Sequence, residues 1–121
     1  MGWWADTNYI VDAPMVLNKD HAGYKFDKLV SFLYGGVVEQ FAKEATNHAY
    51  RPFGCDMAFV DATVNYKIMD RLLEVWDELG YSKEIEIRYS TPTQYLKEVI
   101  KASNKTDVMW PIRKDDTFPY A

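Results

Sequence analysis

The chain has 121 residues, of which 48% are hydrophobic and 26% are charged, as in one modest globular domain. This composition excludes an intrinsically disordered chain. The formal net charge is -4, and no stripe of Lys and Arg is present, which argues against a nucleic-acid partner. No run approaches the roughly 20 apolar residues that cross a bilayer, and residues 1–9 lack the pattern of a signal peptide. We therefore expect neither nucleic acid nor membrane as a partner.

Two features bear on the cellular compartment, and they point in different directions. Cys55 is the single cysteine, so no internal disulfide can form, as is typical of reducing compartments. Asn104-Lys105-Thr106 fits the acceptor pattern for N-glycosylation, a modification of the secretory pathway. Asn104 is therefore a glycosylation candidate.

The first half of the chain predicts a connector, a helix and a strand. Residues 1–24 show no clean periodicity and predict an irregular connector. Residues 24–48 carry apolar side chains at helical spacing, and the pair Gly35-Gly36 predicts a kink or a split in this helix. Residues 49–53 predict a short buried strand, although Pro52 is unfavourable inside a sheet.

The second half predicts two helices and two strands. Asp61 is placed to cap a helix that has one apolar stripe, and this helix is expected to end at Gly80. Residues 85–89 alternate apolar and charged side chains, as in a strand with one solvated face. Thr91-Pro92-Thr93-Gln94 is a strong helix start and predicts a helix over 92–102, and a possible strand follows near 108–112.

Helices that alternate with strands in this order predict an α/β fold with parallel strands joined by right-handed crossovers. Two or three parallel strands would leave unpaired edges, which is a liability in an independent unit. We therefore expect residues 1–121 to be a fragment of a larger domain, with a connector over 1–24 and alternating helices and strands over 25–121.

Three stretches in order carry a resemblance to a known family. Residues 53–59 read Phe-Gly-Cys-Asp-Met-Ala-Phe, residues 87–95 read Ile-Arg-Tyr-Ser-Thr-Pro-Thr-Gln-Tyr, and residues 110–121 read Trp-Pro-Ile-Arg-Lys-Asp-Asp-Thr-Phe-Pro-Tyr-Ala. The third is similar to an Asp-Asp-Phe-Phe-Pro-Tyr-Ala-Asp segment, with Thr117 in place of one of the two adjacent aromatic residues. Together they resemble the N-terminal catalytic domain of glycoside hydrolase family 38 α-mannosidases of the lysosomal type.

The resemblance implies a partial seven-stranded parallel β/α barrel-like domain of a retaining α-mannosidase, with two or three strands and three or four helices. It implies zinc as the cofactor of the parent protein, mannose-containing glycans and the remainder of the parent polypeptide as partners, and a lysosomal, vacuolar or secretory location. The family's His-x-Asp pair and its nucleophile region have no match here. His21 and His48 are the only histidines, so the zinc ligands and the nucleophile are expected outside this chain.

Three aspartates are candidates for the substrate pocket, and each also has an ordinary structural interpretation. Asp56 follows a predicted strand, at the end where α/β sheets bind ligands, but an Asp after Gly also makes turns. Asp115 and Asp116 could face a sugar site, or one could cap a turn while the other is solvated. The aromatic residues Tyr89, Tyr95, Tyr120 and Trp110 could stack on sugars, although core packing is the commoner use.

Two other functional interpretations stay open at this point. A catalytically inactive carbohydrate-binding or interaction module derived from the same barrel would bind mannose without turnover. An independent small α/β domain that merely resembles the family would fold stably by itself. If the chain is part of an α-mannosidase, we expect the isolated chain to be inactive, because it lacks the family's nucleophile and zinc ligands.

Overall fold

The computed structural model describes residues 18–54 and 59–116, in which three α-helices and one short 3-10 helix form the regular structure. Helix α1 spans Phe26–Phe41, α2 spans Ala62–Glu78, and α3 spans Pro92–Ser103. The 3-10 helix Tyr81–Lys83 follows α2 directly. No helix in this described part is long and apolar enough to span a bilayer.

The core forms where α1 packs against α2. Apolar residues recur every three or four positions in both helices, which puts them on one face of each, and burying those two faces against each other removes them from water. The buried core residues are Phe26, Val30, Leu33 and Val37 of α1, and Ile68, Leu72, Val75 and Trp76 of α2.

The predicted α/β fold, a partial parallel β/α barrel, is wrong, because no strand occurs in residues 18–54 or 59–116. In the predicted strand 85–89, Ile85 and Ile87 pack against the core while Glu86 and Arg88 are exposed. An extended segment lying on two helices produces the same two-residue alternation as a strand in a sheet. No backbone hydrogen bond joins this segment to another extended one among the described residues.

The predicted strands at 49–53 and 108–112 are wrong for related reasons. The carbonyl oxygen of Tyr50 accepts a 3.4 Å hydrogen bond from the side chain of Gln40, not from a neighbouring strand, and Pro52 has no N–H to donate. Met109 and Ile112 are largely exposed, so the apolar side chains of the last segment are not buried as a sheet would require.

The helix boundaries agree better with the sequence. The capping box of α3 is confirmed, since the Thr91 hydroxyl accepts from the N–H of Gln94 at 3.2 Å and the Gln94 side chain accepts from the N–H of Thr91 at 3.0 Å. Gly80 follows α2 with φ +80°, as a helix terminator should. Asp61 is the N-cap of α2, but its side chain makes no capping hydrogen bond.

Helix α1 runs without interruption through Gly35 and Gly36, so the predicted split is wrong. At Gly36, an added Cβ would lie 3.2 Å from Nη2 of Arg51, whereas at Gly35 it would meet nothing within 4 Å. The absence of a side chain at Gly36 therefore lets the Arg51 guanidinium approach the helix closely. Gly35 has no such contact and only carries the entropic cost of a glycine in a helix interior.

This difference predicts different changes in the free energy of unfolding for the two substitutions Gly35→Ala and Gly36→Ala. Gly35→Ala should raise the free energy of unfolding by about 0.5–1 kcal/mol, because alanine loses less conformational entropy in a helix. Gly36→Ala should give a smaller gain or a loss, because the Arg51 guanidinium must move. Urea unfolding followed by circular dichroism measures both changes. Equal gains in the free energy of unfolding would contradict the close contact between Arg51 and Gly36.

Candidate functional site

An open cleft of about 460 Å³ lies beside the core, bounded by α1, α2, the loop 47–53, the extended segment 85–90 and the start of α3. Its floor is apolar and includes Leu33, Val37, Leu72 and Trp76. Polar side chains also line it, among them His48, Arg51, Glu86, Arg88, Gln94 and Glu98. Its size is within the range of sites for small organic ligands.

Trp76 fixes one wall of the cleft. Its indole is 1% exposed, and its Nε1–H donates a 2.8 Å hydrogen bond to the carbonyl oxygen of Ile85. The ring of Tyr81 stacks on Tyr34 with centroids 4.1 Å apart, and both rings contact Trp76 at 5.4 and 5.7 Å. This aromatic cluster and the hydrogen bond hold the segment 85–90 against the two helices.

Two pairs of tyrosine rings line the cleft. Tyr50 and Tyr95 lie with centroids 5.3 Å apart, and Tyr66 meets Tyr89 edge-on at 6.1 Å. The Tyr89 hydroxyl donates to Oδ1 of Asp70 at 2.7 Å, and burial together with that carboxylate raises the pKa of Tyr89. Tyr89 therefore stays a neutral phenol, so the cleft presents uncharged ring faces with polar edges.

The charged side chains of the cleft balance in sign. Arg51 and Arg88 carry positive charge, and Glu86 and Glu98 carry negative charge. A 2.6 Å hydrogen bond from Lys101 lowers the pKa of Glu98, so this carboxylate is ionised at neutral pH. A cleft with hydrogen-bond donors and acceptors, ring faces and little net charge suits a neutral ligand rich in hydroxyl groups.

The proton donor of a glycosidase needs a raised pKa, so that it is still protonated at the working pH. In the described ranges, each carboxyl group with a clearly displaced pKa is displaced downward, chiefly by a hydrogen bond from a cation. These groups are Glu78, Glu98 and Asp115. None of the three has the property that an acid catalyst requires.

The structure brings neither Asp115 nor Asp116 into the lining of the cleft. Both are exposed in the segment after α3. Asp115 accepts two 3.0 Å hydrogen bonds from the guanidinium of Arg113, and this contact lowers the pKa of Asp115. Asn104 is exposed at the C-terminal end of α3.

Asp56 lies outside the described residues, as does Cys55, and both of those assignments stay predictions. Phe53 and Phe59, which precede and follow this part of the chain, line the cleft. Gly54 has φ +129°, and a Cβ at this position would lie 2.8 Å from Cε2 of Phe59. The backbone before Asp56 therefore depends on a glycine.

The zinc ion that the resemblance implies does not fit the part of the chain that the structure describes. No group of three or more His, Cys, Asp or Glu side chains there could hold a metal ion. Nδ1 of His21 accepts a 2.9 Å hydrogen bond from the N–H of Gly23, and His48 lies in the loop between α1 and α2.

Tyr50, Arg51, Glu86 and Arg88 also line the cleft, and no motif in the sequence indicates this. The two charged residues at 86 and 88 were interpreted as the solvated face of a strand. The usable signal for Arg51 was the Gly35-Gly36 pair, because a glycine on a helix surface can mark close approach of another side chain.

Comparison with known proteins supports the family that the three motifs resemble. Residues 5–121 match the family model described as the glycosyl hydrolases family 38 N-terminal domain. The chain is 32% identical over 111 residues to a lysosomal alpha-mannosidase of Cavia porcellus, which covers 91% of this chain and 11% of that protein.

Other relatives give the same result. The chain is 30% identical over 112 residues to the Homo sapiens lysosomal alpha-mannosidase, covering 92% of this chain and 11% of that protein. It is 37% identical over 92 residues to the Dictyostelium discoideum lysosomal alpha-mannosidase, covering 69% of this chain and 9% of that protein. The chain thus spans about a tenth of the length of these relatives. No solved structure matches it significantly.

Proposed function

We propose that this chain, which belongs to glycosyl hydrolase family 38, is part of a retaining α-mannosidase that hydrolyses terminal α-linked mannose in glycans. The observation that carries the proposal is the family match over residues 5–121. Relatives named lysosomal alpha-mannosidase support the substrate class. They also support a lysosomal, vacuolar or secretory location for the full-length protein.

We assign the cleft between the three helices to contacts with the mannose residue. A pyranose has hydroxyl groups that exchange hydrogen bonds and C–H faces that pack on aromatic rings. The cleft offers both kinds of partner, in the ring pairs Tyr50–Tyr95 and Tyr66–Tyr89 and in the polar side chains at its edge. The nearly balanced charge favours a neutral sugar over a phosphate or a peptide of one sign.

Asp56 is our candidate for direct contact with substrate, because Phe53 and Phe59 on either side of it in sequence line the cleft. Retention of configuration requires two carboxyl groups about 5–5.5 Å apart, one of which attacks the anomeric carbon while the other protonates the leaving oxygen. Asp56 alone cannot supply both. Asp115 and Asp116 stay predictions as pocket residues, and no catalytic role is assigned to them.

Zinc is proposed as a cofactor of the full-length protein, held by residues other than those the structure describes. Among residues 18–54 and 59–116 no group of three or more His, Cys, Asp or Glu side chains could hold a metal ion, so the role that we propose for the cleft is substrate contact. Hydrolysis that is lost on chelation and regained on addition of Zn²⁺ would support the cofactor assignment.

The experiment is an assay of the full-length protein on an aryl α-mannoside, with the matching aryl α-glucoside as control. We expect release of the aryl alcohol from the mannoside at a rate at least about tenfold above that from the glucoside, a difference of about 1.4 kcal/mol in transition-state binding. Mannose binding without turnover would instead favour an inactive carbohydrate-binding module, which the aromatic cleft would also suit. If the full-length protein neither binds mannose nor hydrolyses the mannoside, both functions are contradicted.

A further inference from the structure

The wall of the cleft formed by residues 85–90 is bonded to α2 near both of its ends. At one end the carbonyl oxygen of Ile85 accepts the 2.8 Å hydrogen bond from Trp76, and at the other the hydroxyl of Tyr89 donates to Asp70 at 2.7 Å. Asp70 and Trp76 are about 9 Å apart along the helix axis, and four extended residues span about 13 Å. The wall therefore runs along α2 in the direction opposite to that of the helix.

Backbone hydrogen bonds do not fix residues 86–90. Within residues 18–54 and 59–116, none of their backbone N–H or C=O groups takes part in a backbone-to-backbone hydrogen bond. Ile87 packs against the core before Tyr89, and Thr91 starts the capping box of α3 after it. Between these two points, the orientation of Tyr89 therefore depends on the contacts of its own side chain.

Two residues of α2 hold the Tyr89 side chain. Tyr66 and Asp70 are four positions apart, which places them next to each other on one face of the helix. The ring of Tyr66 meets Tyr89 edge-on at 6.1 Å, and Oδ1 of Asp70 accepts from the Tyr89 hydroxyl. A hydrogen bond to a carboxylate is stronger than one between neutral groups. Tyr66 therefore contacts the ring, while Asp70 fixes its hydroxyl end.

We propose that Asp70 is a positioning residue for sugar binding: by accepting the hydrogen bond from Tyr89, it holds that ring as a surface on which a mannose ring packs. Tyr89 lines the cleft and is 47% exposed, whereas Asp70 is not part of the lining and acts through Tyr89. A side chain that is already ordered loses less conformational freedom when a ligand binds, so the ligand binds more tightly. This inference rests on the proposed function, because it concerns the same cleft.

Steady-state kinetics of the full-length protein on an aryl α-mannoside test the role of Asp70. Asp70→Ala should raise KM at least about fivefold and change kcat less than about twofold, because packing on the ring contributes equally to substrate and transition-state binding. Asp70→Asn keeps an oxygen that accepts the hydrogen bond, and its KM should stay within about twofold of the wild type. An unchanged KM in Asp70→Ala, or an equal rise in Asp70→Asn, would overturn the proposal.

A double-variant experiment tests whether Asp70 acts through Tyr89. Tyr89→Phe keeps the ring but cannot donate to Asp70, so it should raise KM by the same factor as Asp70→Ala. Combining the two changes should give no further rise, because each removes the same hydrogen bond. Factors that multiply in the double variant would show that Asp70 acts by another route, and the proposal would then be wrong.

Asp77→Ala is the matched control. Asp77 lies on the same helix, is exposed and accepts a 2.5 Å hydrogen bond from the Ser82 hydroxyl, but neither residue lines the cleft. Its replacement should leave KM and kcat unchanged. Equal rises in KM for Asp70→Ala and Asp77→Ala would mean that any lost contact of α2 weakens binding, which would contradict a specific role for Asp70.

Nitration of Tyr89 by tetranitromethane tests the same contact without any sugar or turnover. The reagent attacks the phenolate, and burial together with the Asp70 carboxylate raises the pKa of Tyr89 and so suppresses that form. In Asp70→Ala, nitration at about pH 8 should be at least about threefold faster than in the wild type, as measured by mass spectrometry of the peptide with Tyr89. Equal nitration rates would overturn the hold of Asp70 on Tyr89.

The two proposals fail separately in these experiments. Turnover of the mannoside with the same KM in the wild type and in Asp70→Ala would contradict the positioning role and leave the proposed function standing. Faster nitration in Asp70→Ala without turnover in any variant would support the hold of Asp70 on Tyr89 and contradict the proposed function alone.

Discussion

Replacing Trp76 with alanine is expected to lower the free energy of unfolding by about 3–5 kcal/mol, a large share of the stability of a small domain. The indole is 1% exposed, it packs against the stacked rings of Tyr34 and Tyr81, and it donates a hydrogen bond to the carbonyl oxygen of Ile85. Alanine removes the buried area and leaves a cavity, and it also frees the extended wall of the cleft. Urea unfolding followed by circular dichroism at 222 nm measures the loss.

Two further variants separate the causes of this loss. Trp76→Phe keeps most of the apolar volume but cannot donate to Ile85, so it should cost about 1–3 kcal/mol. Trp110→Ala removes the same side chain where it is half exposed, and it should change stability by less than about 0.5 kcal/mol. Equal losses for Trp76→Ala and Trp110→Ala would contradict the core described here.

Replacing Gly54 with alanine is expected to cost about 1–3 kcal/mol and to disturb the cleft. A φ of +129° is strained for any residue with a Cβ, and that atom would lie 2.8 Å from the Phe59 ring. The ring must move or the backbone before Asp56 must change. In the full-length protein, kcat/KM for an aryl α-mannoside should fall at least about tenfold, an effect of about 1.4 kcal/mol.

Gly35→Ala is the matched control, because it adds the same methyl group to an exposed glycine with open space around it. It should leave kcat/KM unchanged. Gly54→Ala combined with Phe59→Ala should cost less than the sum of the two single changes, since the smaller side chain relieves the contact. Additive losses would mean that the contact with Phe59 is not a source of the strain.

The helices could be predicted from the sequence because each has a local cause. The i, i+3, i+4 spacing predicted the buried faces of α1 and α2, and the capping box predicted the first turn of α3. The end of α1 could not be placed from the sequence. Residues 42–44 are Ala-Lys-Glu, which favour a helix by intrinsic propensity, but they form turn-type hydrogen bonds, such as that from the N–H of Lys43 to the carbonyl oxygen of Gln40 at 2.9 Å.

The strands were predicted wrongly because alternation reports which side of a chain is buried, not what the chain is bonded to. Ile85 and Ile87 do face the core, as the alternation indicated, but the carbonyl oxygen of Ile85 is bonded to the indole of Trp76. That contact joins residues nine positions apart through a side chain. Periodicity does not reveal such a contact.

The candidate site was predictable only in part, for a similar reason. Phe53 and Phe59, at the two ends of the motif around Asp56, line the cleft, while the role of Asp56 itself stays a prediction. Arg51 joins the cleft because Gly36 lets its guanidinium approach α1, a contact between residues fifteen positions apart. Asp115 pairs with Arg113 two residues before it, a contact that none of the sequence motifs indicates.

The most direct test of the central claim, that the cleft between the three helices contacts mannose, is hydrogen exchange of the full-length protein with and without saturating mannose. We predict slower exchange in residues 47–54 and 85–95, which include most of the lining outside α1 and α2, and no change in residues 26–32 at the start of α1. If mannose inhibits turnover of the aryl α-mannoside while 47–54 and 85–95 exchange at unchanged rates, the cleft is not the mannose site.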